Sequence, residues 1–527
     1  MKTFYFNGTV LTQNPWQPLA NALLVENGRF IAVGQQREVE RHADQATRRV
    51  DLQNRTVLPG FNDAHIHLWK VGQLASFIID LRGVKSIAEL QSIVRSSIQH
   101  IPAGTWVTGR GFNEQLLEEN RMPSIADLDA ISLEHPIYLI RTCAHIAVVN
   151  SYALQQSGVT RSTPAPEGGV VGKDENNNLT GAFYETALGL VTKHIPAPSK
   201  EDYEQMIGLG IRKMLQLGIT SVTDPAAHPE LLEAYISYAV KQDPAIRLNV
   251  FPILLPDGGD KPYDIPAIHE SDFLTIDTVK FFSDGGLSGK TASISRPYKN
   301  SSDHGVLRLH AKEFYNLARE AQEKGFRIAT HAIGDMAIHL VLDTYKKLHA
   351  NFGDTRNRIE HFGLPTSMDV RIMADYQFVA VPQPVFLYEL GENFIHSLDE
   401  AYLSFCYPIK SLLEKKIPVA LSTDGPVVGN VNPWSNIKSA MQRKTRLGNV
   451  ISKNESISIQ EALHAYTVGS AYAEGKEKFK GSIAAHQLAD FIIVDQNPMD
   501  TDVDQLDSIK VEETYVNGIC QWTKDNR

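Results

Sequence analysis

The chain has 527 residues, 43% of them hydrophobic and 21% charged, with a formal net charge of −10. This is the balance of a folded globular protein, and its acidic excess argues against a nucleic-acid partner, which would call for a basic patch. Cys143, Cys406 and Cys520 lie far apart with no CxxC pair, which argues against a cysteine-rich zinc site or a disulfide scaffold. No apolar run approaches a membrane span, and the start, MKTFYFNGTVLTQ, lacks the apolar core of a leader segment. The cytoplasm is the expected compartment.

In chain order, the first predicted elements are short strands: FYFNGTVLT, ALLVENGRFIAVG and RRVDLQNRTVLPG. Asn27-Gly28 between two apolar runs predicts a hairpin. The far end, with ADFIIVDQNP and VEETYVNGICQW, reads the same way. Residues 1–58 plus 478–527 are therefore expected to form one small β-sandwich domain built from both chain termini. Between them, from 59 to 477, apolar runs such as GITSVTDP, IRLNVFPILLP, TVKFFSDG, FRIATHAIGD, NRIEHFG and PVALSTDG alternate with helical stretches. One of these, AKEFYNLAREAQEKG, has helical spacing and a glycine stop at Gly325. Sustained strand–helix alternation predicts an α/β fold with a parallel sheet, here a (β/α)8 TIM-type barrel. The absence of G-x-G-x-x-G after the first strand removes the usual reason to prefer a dinucleotide fold. The span from about 70 to 200 is too long for one crossover and is expected to be an insertion.

The stretch VKFFSDGGLSGKTA, residues 279–292, resembles a phosphate-binding loop, but Gly285 leaves only three residues before Gly289-Lys290, one too few. Asp284 also places a negative charge where phosphate would sit. In a barrel, chemistry gathers where strands end. Asp63, His65 and His67 alternate on one face of an extended segment, and two imidazoles so placed form a chelating pair. His331, His361 and Asp424 each close an apolar strand. Singly, each reads equally well as a hydrogen-bonded histidine or a capping aspartate; together, at successive strand ends, they read as a metal site. Lys280 ends a strand of the same series. Beside cations and buried, its amine is expected to titrate low. A neutral amine can add CO2, and the resulting carbamate on Lys280 would bridge two metals. The plainer alternative is an unmodified lysine paired with Asp284 or with substrate.

With these residues in place, the chain resembles the amidohydrolase superfamily, and within it amidohydrolase family 3, the branch that includes N-substituted formamide deformylases and exoenzyme regulators. The resemblance covers essentially the whole chain through LPGFNDAHIHL, TWVTGRGFNEQ, LTGAFYETA, VKFFSDGGLSGKTA, ATHAIGD, RIEHFG, VPQP, LSTDGPV and EALHAYTVGSAYA. It implies two divalent metals, usually zinc: His65, His67 and Asp424 on one, His331 and His361 on the other, and carboxylated Lys280 between them. It further implies hydrolysis of a non-peptide C–N bond in an amide, formamide or cyclic amide by a metal-activated hydroxide. Asp424 would be the general base. His145 would be a hydrogen-bond donor to the substrate carbonyl, and Arg110 and Glu185 would be further substrate contacts. Two motifs depart from the family: Cys143-Ala144-His145-Ile146 stands where Asp-Gly-His-Ala is usual, and Thr423-Asp424-Gly425-Pro426 where Ser-Asp-x-Pro is commoner. A mononuclear deaminase of the same superfamily, or a non-catalytic regulatory protein on the same fold, are the alternatives. Trp69, Trp106, Phe112, Phe282 and Phe386 either line an apolar pocket or simply pack. The expected partner is a small-molecule substrate, and a homodimer is the expected assembly.

Overall fold

The computed structural model describes residues 2–141, 145–166, 168–241, 244–256 and 261–525. It divides into two units, Met1–Lys70 with Gly210–Arg527, and Val71–Leu209. The fold is mixed α/β.

Two parallel sheets run through the first unit. One places the strands Leu274–Ile276, Arg247–Pro252, Ile219–Ala227 and Phe61–Asp63 side by side, all parallel, with His269–Glu270 added antiparallel at the edge. The other is a parallel run of Thr278–Phe282, Arg327–Ala332, Arg358–His361 and Val379–Val381. Among the described residues, a parallel bridge between Ile253 and Lys280 joins the two sheets. The barrel expected from the sequence is thus recorded as five-stranded and four-stranded sheets rather than one closed ladder. The run PVALSTDG, read as strand-like, joins the second sheet through an isolated bridge from Val419 to Ala380 among the described residues. The physical reason lies in its partner: the Thr423 amide is taken by the Asp63 carboxylate at 3.1 Å, so a side chain replaces a ladder bond there.

Local signals explain the connections. The predicted helix forms over Ala311–Glu323. Gly325, at φ +89°, ends it with paired bonds from the Gly325 amide to Gln322 at 2.9 Å and from the Phe326 amide to Ala321 at 3.0 Å. This is the left-handed termination that glycine permits. Among the described residues, no helix is long and apolar enough to cross a membrane.

The chain ends pair. Ala22–Glu26 and Arg29–Gly34 form the predicted hairpin, with Asn27 at φ +50° and Gly28 at φ +77°, the double left-handed turn that Asn-Gly favours. Thr56–Pro59 pairs antiparallel with Phe491–Val494, so residues from both termini share one six-stranded sheet. A four-stranded sheet, including Lys2–Phe6, contributes Tyr5, Leu23 and Phe30 to a core that also holds Val57, Phe491 and Tyr515.

In the second unit a six-stranded mixed sheet carries alternate residues into two cores. Leu139 and Val148 join one with Leu90 and Val94, whereas Tyr138 and Ala147 join the other with Leu154 and Phe183. HPIYLIRT supplies its strand Ile137–Arg141 to this sheet.

Arg247, at the start of its parallel strand, forms a fork with Asp490 (2.6 and 3.0 Å) and also reaches Asn517 Oδ1 at 2.6 Å. Both charged side chains are buried, and a buried pair broken from one side costs on the order of 3 kcal/mol. Asp490→Asn is expected to lower the midpoint of thermal unfolding by several degrees; an unchanged midpoint contradicts this role.

Candidate metal centre

The chemistry-bearing residues stand where parallel strands finish. His65 and His67 follow Phe61–Asp63, Lys280 lies in Thr278–Phe282, His331 lies in Arg327–Ala332, and His361 closes Arg358–His361. Asp424 follows the extended run from Val419. Backbone bonds lace this region together: His67 N to Gly425 O at 2.8 Å, Asp424 N to His65 O at 2.8 Å, and Ile66 N to Thr223 O at 2.9 Å.

The imidazoles converge. Ring centres of His65 and His67 are 5.9 Å apart, those of His65 and His361 5.0 Å, and those of His331 and His361 4.4 Å. His65, His67 and Asp424 each bring one donor atom to within 4.8 Å of the others. Asp424 Oδ1 stands 3.4 Å from His65 Nε2 and 3.3 Å from His67 Nε2. That oxygen has no hydrogen-bond partner among the described residues. Charge-assisted N–H···O bonds are shorter than this, about 2.7–2.9 Å. Ligand atoms about 2.1 Å from a tetrahedral ion, by contrast, lie about 3.4 Å from one another. The spacing and the donor set both fit a divalent cation.

Neighbouring groups fix which nitrogen faces inward. His65 Nδ1 donates to Glu360 Oε2 at 2.5 Å, leaving Nε2 and its lone pair toward Asp424. Glu360 is in turn held by Arg358, whose Nε donates to Oε1 at 2.6 Å. His361 Nδ1 donates to Gln383 Oε1 at 2.6 Å, and the Gln383 amide is anchored on Val381 O and Ser422 Oγ. His331 Nε2 donates to Gly285 O at 3.2 Å, so Nδ1 is its free donor position. Such outer partners orient imidazole ligands and raise their basicity.

The electrostatics suit cation binding. Burial alone would raise the Asp424 carboxyl, but the His65 and His67 imidazoles outweigh it and hold the group well below the ordinary carboxylate range. Burial pushes His361 well below its ordinary value, with His331 adding to the shift, and burial likewise lowers His67. Neutral imidazoles and an ionised carboxylate are the forms that ligate. Burial lowers His65 too, but the Asp424 and Glu360 carboxylates outweigh it and raise that imidazole, so a cation at His65 competes with a proton. Burial raises Asp63 to about 6; its oxygens accept from Thr423 and from the His65 amide, so it pins the segment instead of joining the donor group.

Two of these residues have strained backbones: His361 at φ +73° and Asp424 at φ +54°. A regular strand would turn His361 away from the face that carries Glu360. The left-handed step ends the alternation, and both residues reach His65. Lys280 is fully buried, with Nζ 4.9 Å from the centre of the Phe282 ring. Asp284 accepts amides from Ser293, Ile333 and Gly334, tying the strand-end loops together. Lys290 is exposed at φ +54°, and Thr291 folds the glycine-rich stretch onto itself through Gly286.

A cavity of 210 Å3 opens over the donors, lined by His65, His67, His331, His361 and Asp424 and walled by Phe282, Phe386, Leu390 and Phe394. Of the aromatics singled out in the sequence, Phe282 and Phe386 face it. Phe112 and Trp106 pack in the cores of the second unit. His145, Glu185 and Arg110 belong to that second unit. His145 and Glu185 are exposed and pair with each other at 2.9 Å, while Arg110 is half-buried in Val107–Phe112. Cys143 and Ala144, the departing motif residues, lie outside the described residues.

Sequence reasoning missed Glu360, Arg358 and Gln383. The signal was present for the first two: Arg358 and Glu360 stand two apart in an apolar strand, hence on one face, and a buried face does not hold opposite charges without a task. Glu360→Gln replaces the carboxylate that fixes the His65 tautomer with a neutral amide. It is expected to weaken zinc binding about 10- to 100-fold in a competition titration against a chelator; wild-type affinity contradicts the assignment.

A model of the amidohydrolase family matches residues 48–520 of the chain. An N-substituted formamide deformylase of Arthrobacter pascens is 28% identical over 541 residues, covering 98% of this chain and 98% of that protein. The protein LONG AFTER FAR-RED 3 of Arabidopsis thaliana is 29% identical, over 97% of this chain and 90% of that one. Among solved structures, an uncharacterized metal-dependent hydrolase from Pyrococcus horikoshii superposes with a TM-score of 0.80 at 26% identity, covering 96% of this chain and 99% of its own. The family match covers every strand that carries a metal-donor candidate. This chain belongs to the amidohydrolase family.

Proposed function

We propose that the protein is a metal-dependent amidohydrolase that cleaves a non-peptide C–N bond in a small amide, formamide or cyclic amide. The observation that carries this reading is Asp424 Oδ1 held between His65 Nε2 and His67 Nε2 at tetrahedral-ligand spacing, beside His331 and His361. In this reading the two parallel sheets close into a (β/α)8 barrel. Support comes from the Ile253–Lys280 and Ala380–Val419 bridges and from Ala64 N to Leu421 O at 3.4 Å, which link neighbouring strands around the ring. The paired termini form a small sandwich domain beside it.

His65, His67 and Asp424 would hold one divalent ion, His331 and His361 a second, with zinc the ion that suits imidazole and carboxylate donors. Lys280 is the proposed bridge. Its amine adds CO2 by forming an N–C bond and releasing one proton, which gives a carbamate with two donor oxygens. Its burial and its electrostatic influence on His65, Glu360 and His361 support that place. Bound there, the ions supply a Lewis acid for a carbonyl oxygen and bring the ionisation of water toward neutral pH.

The chain's own residues do the rest. Asp424 accepts the nucleophile's proton on its carboxylate and passes it to the leaving nitrogen. Glu360 and Gln383 hold His65 and His361 in one tautomer throughout. Phe282, Phe386 and Phe394 exclude bulk water from the reacting groups and favour substrates with an apolar substituent. His145, Arg110 and Glu185 are assigned to substrate contact on their match to the family motifs.

The test uses an N-alkylformamide, a lactam and an anilide with zinc-loaded protein. Turnover of at least one is expected, and His65→Ala and Asp424→Asn are each expected to lower kcat/KM by about 10³-fold or more; wild-type rates in either contradict the roles. Stripping with a chelator is expected to abolish turnover and zinc to restore it. Elemental analysis should find two equivalents per chain, whereas one equivalent would favour a mononuclear deaminase-type site.

A further inference from the structure

Tyr407 is 1% exposed, and its hydroxyl has no hydrogen-bond partner among the described residues. It lines the same cavity as the four imidazoles and Asp424. Buried tyrosine hydroxyls ordinarily find a partner, because one left unmade carries the full desolvation cost of the group.

The residue is also held with unusual firmness. Its backbone lies in the left-handed region at φ +48°. The Tyr407 amide donates to Gly363 O at 2.7 Å, and its carbonyl accepts from Ile409 N at 2.9 Å and from the buried Arg443 Nη1 at 3.1 Å. The ring meets Phe386 edge-on, with centres 6.4 Å apart, and stacks against Phe394 at 6.3 Å. Gly363 stands two residues after His361, and a Cβ there would come within 3.3 Å of Tyr407 Cζ, the carbon that bears the hydroxyl. The phenol end is thus seated against the turn that carries a metal-donor candidate. Bonds from Gly363, Ile409 and Arg443 hold this backbone in place.

The other buried polar side chains lining the cavity are lone-pair donors toward a cation, imidazole nitrogens and the Asp424 carboxylate, while Ser288, which also lines it, is exposed. A neutral O–H is the complementary group, one that a carbonyl oxygen accepts. We propose that Tyr407 Oη–H donates a hydrogen bond to the carbonyl oxygen of the scissile amide and strengthens that bond as negative charge builds there. This rests on the amidohydrolase reading above.

The experiment compares zinc-loaded wild-type protein with Tyr407→Phe in two arms. In turnover of the N-alkylformamide, lactam and anilide, the variant is expected to lose about 10²- to 10³-fold in kcat with KM within about threefold. In calorimetric titration with methylphosphonate, a tetrahedral anion, it is expected to bind at least about tenfold more weakly, on the same principle. Zinc content should be unchanged, and the thermal midpoint should not fall, because a hydroxyl without a protein partner is removed. A variant with wild-type kcat and wild-type phosphonate affinity overturns the proposal, as does a lowered midpoint with unchanged affinity, which would mark a structural bond. Should the wild type hydrolyse none of the amides, the amidohydrolase reading fails. The phosphonate arm then decides Tyr407 alone: weaker binding by the variant supports it, and equal binding or none by either protein overturns it.

Discussion

Lone pairs facing one another inside a protein repel, and this is the constraint on which the first unit is organised. His65 Nε2, His67 Nε2 and Asp424 Oδ1 share a space too wide for good hydrogen bonds and too enclosed for bulk water. With His65 Nδ1 committed to Glu360, a neutral His65 turns its Nε2 lone pair toward Asp424 Oδ1. A cation resolves the conflict at once, and the free energy so released is available to hold the strand ends in register. The Arg358–Glu360–His65 relay shows the same economy from behind: a fully buried guanidinium sets a fully buried carboxylate, and the carboxylate sets a tautomer.

The parallel arrangement explains why the groups meet. Strands that all run the same way finish on the same side, so residues far apart in sequence arrive together with no long-range pairing of their own. Regular strands would still scatter side chains to alternate faces. The left-handed backbones at His361 and Asp424 end that alternation where a side chain must turn inward, and Tyr407, also left-handed, lies between two short helices. Each is clamped by hydrogen bonds from neighbouring elements, as at Asp424 N to His65 O. The rigid sheet thus supplies position, and strained single residues supply direction.

How far this could be read from the sequence follows from what each feature depends on. The HxH pair, His331, His361 and Asp424 were legible because each interrupts an apolar run at its end, a local pattern. Asn27-Gly28 and Gly325 were legible because backbone freedom is written in residue type. Glu360 and Arg358 were not picked out because charges in a strand read by default as its solvent face, and only the neighbouring strands show that face to be interior. Gln383 and Tyr407 owe their importance to a hydrogen bond made and a hydrogen bond missing, neither of which has a sequence pattern. The run PVALSTDG is tied to its neighbours by an isolated bridge and a few backbone bonds, and nothing in it tells that Asp63 would take the Thr423 amide. His145, Arg110 and Glu185 rested on family motifs alone, and the structure places them in the second unit.

The family match covers the segments that carry these side chains, and the donor geometry brings the side chains themselves together. The proposed reading is that cations are held by these particular atoms. The most direct measurement is anomalous diffraction from crystals of the zinc-loaded protein, collected on both sides of the zinc edge. The account predicts one peak about 2.1 Å from His65 Nε2, His67 Nε2 and an Asp424 oxygen, a second beside His331 and His361, and extra density continuous with Lys280 Nζ between them. Zinc peaks found only elsewhere on the molecule, with these side chains unligated, would contradict it.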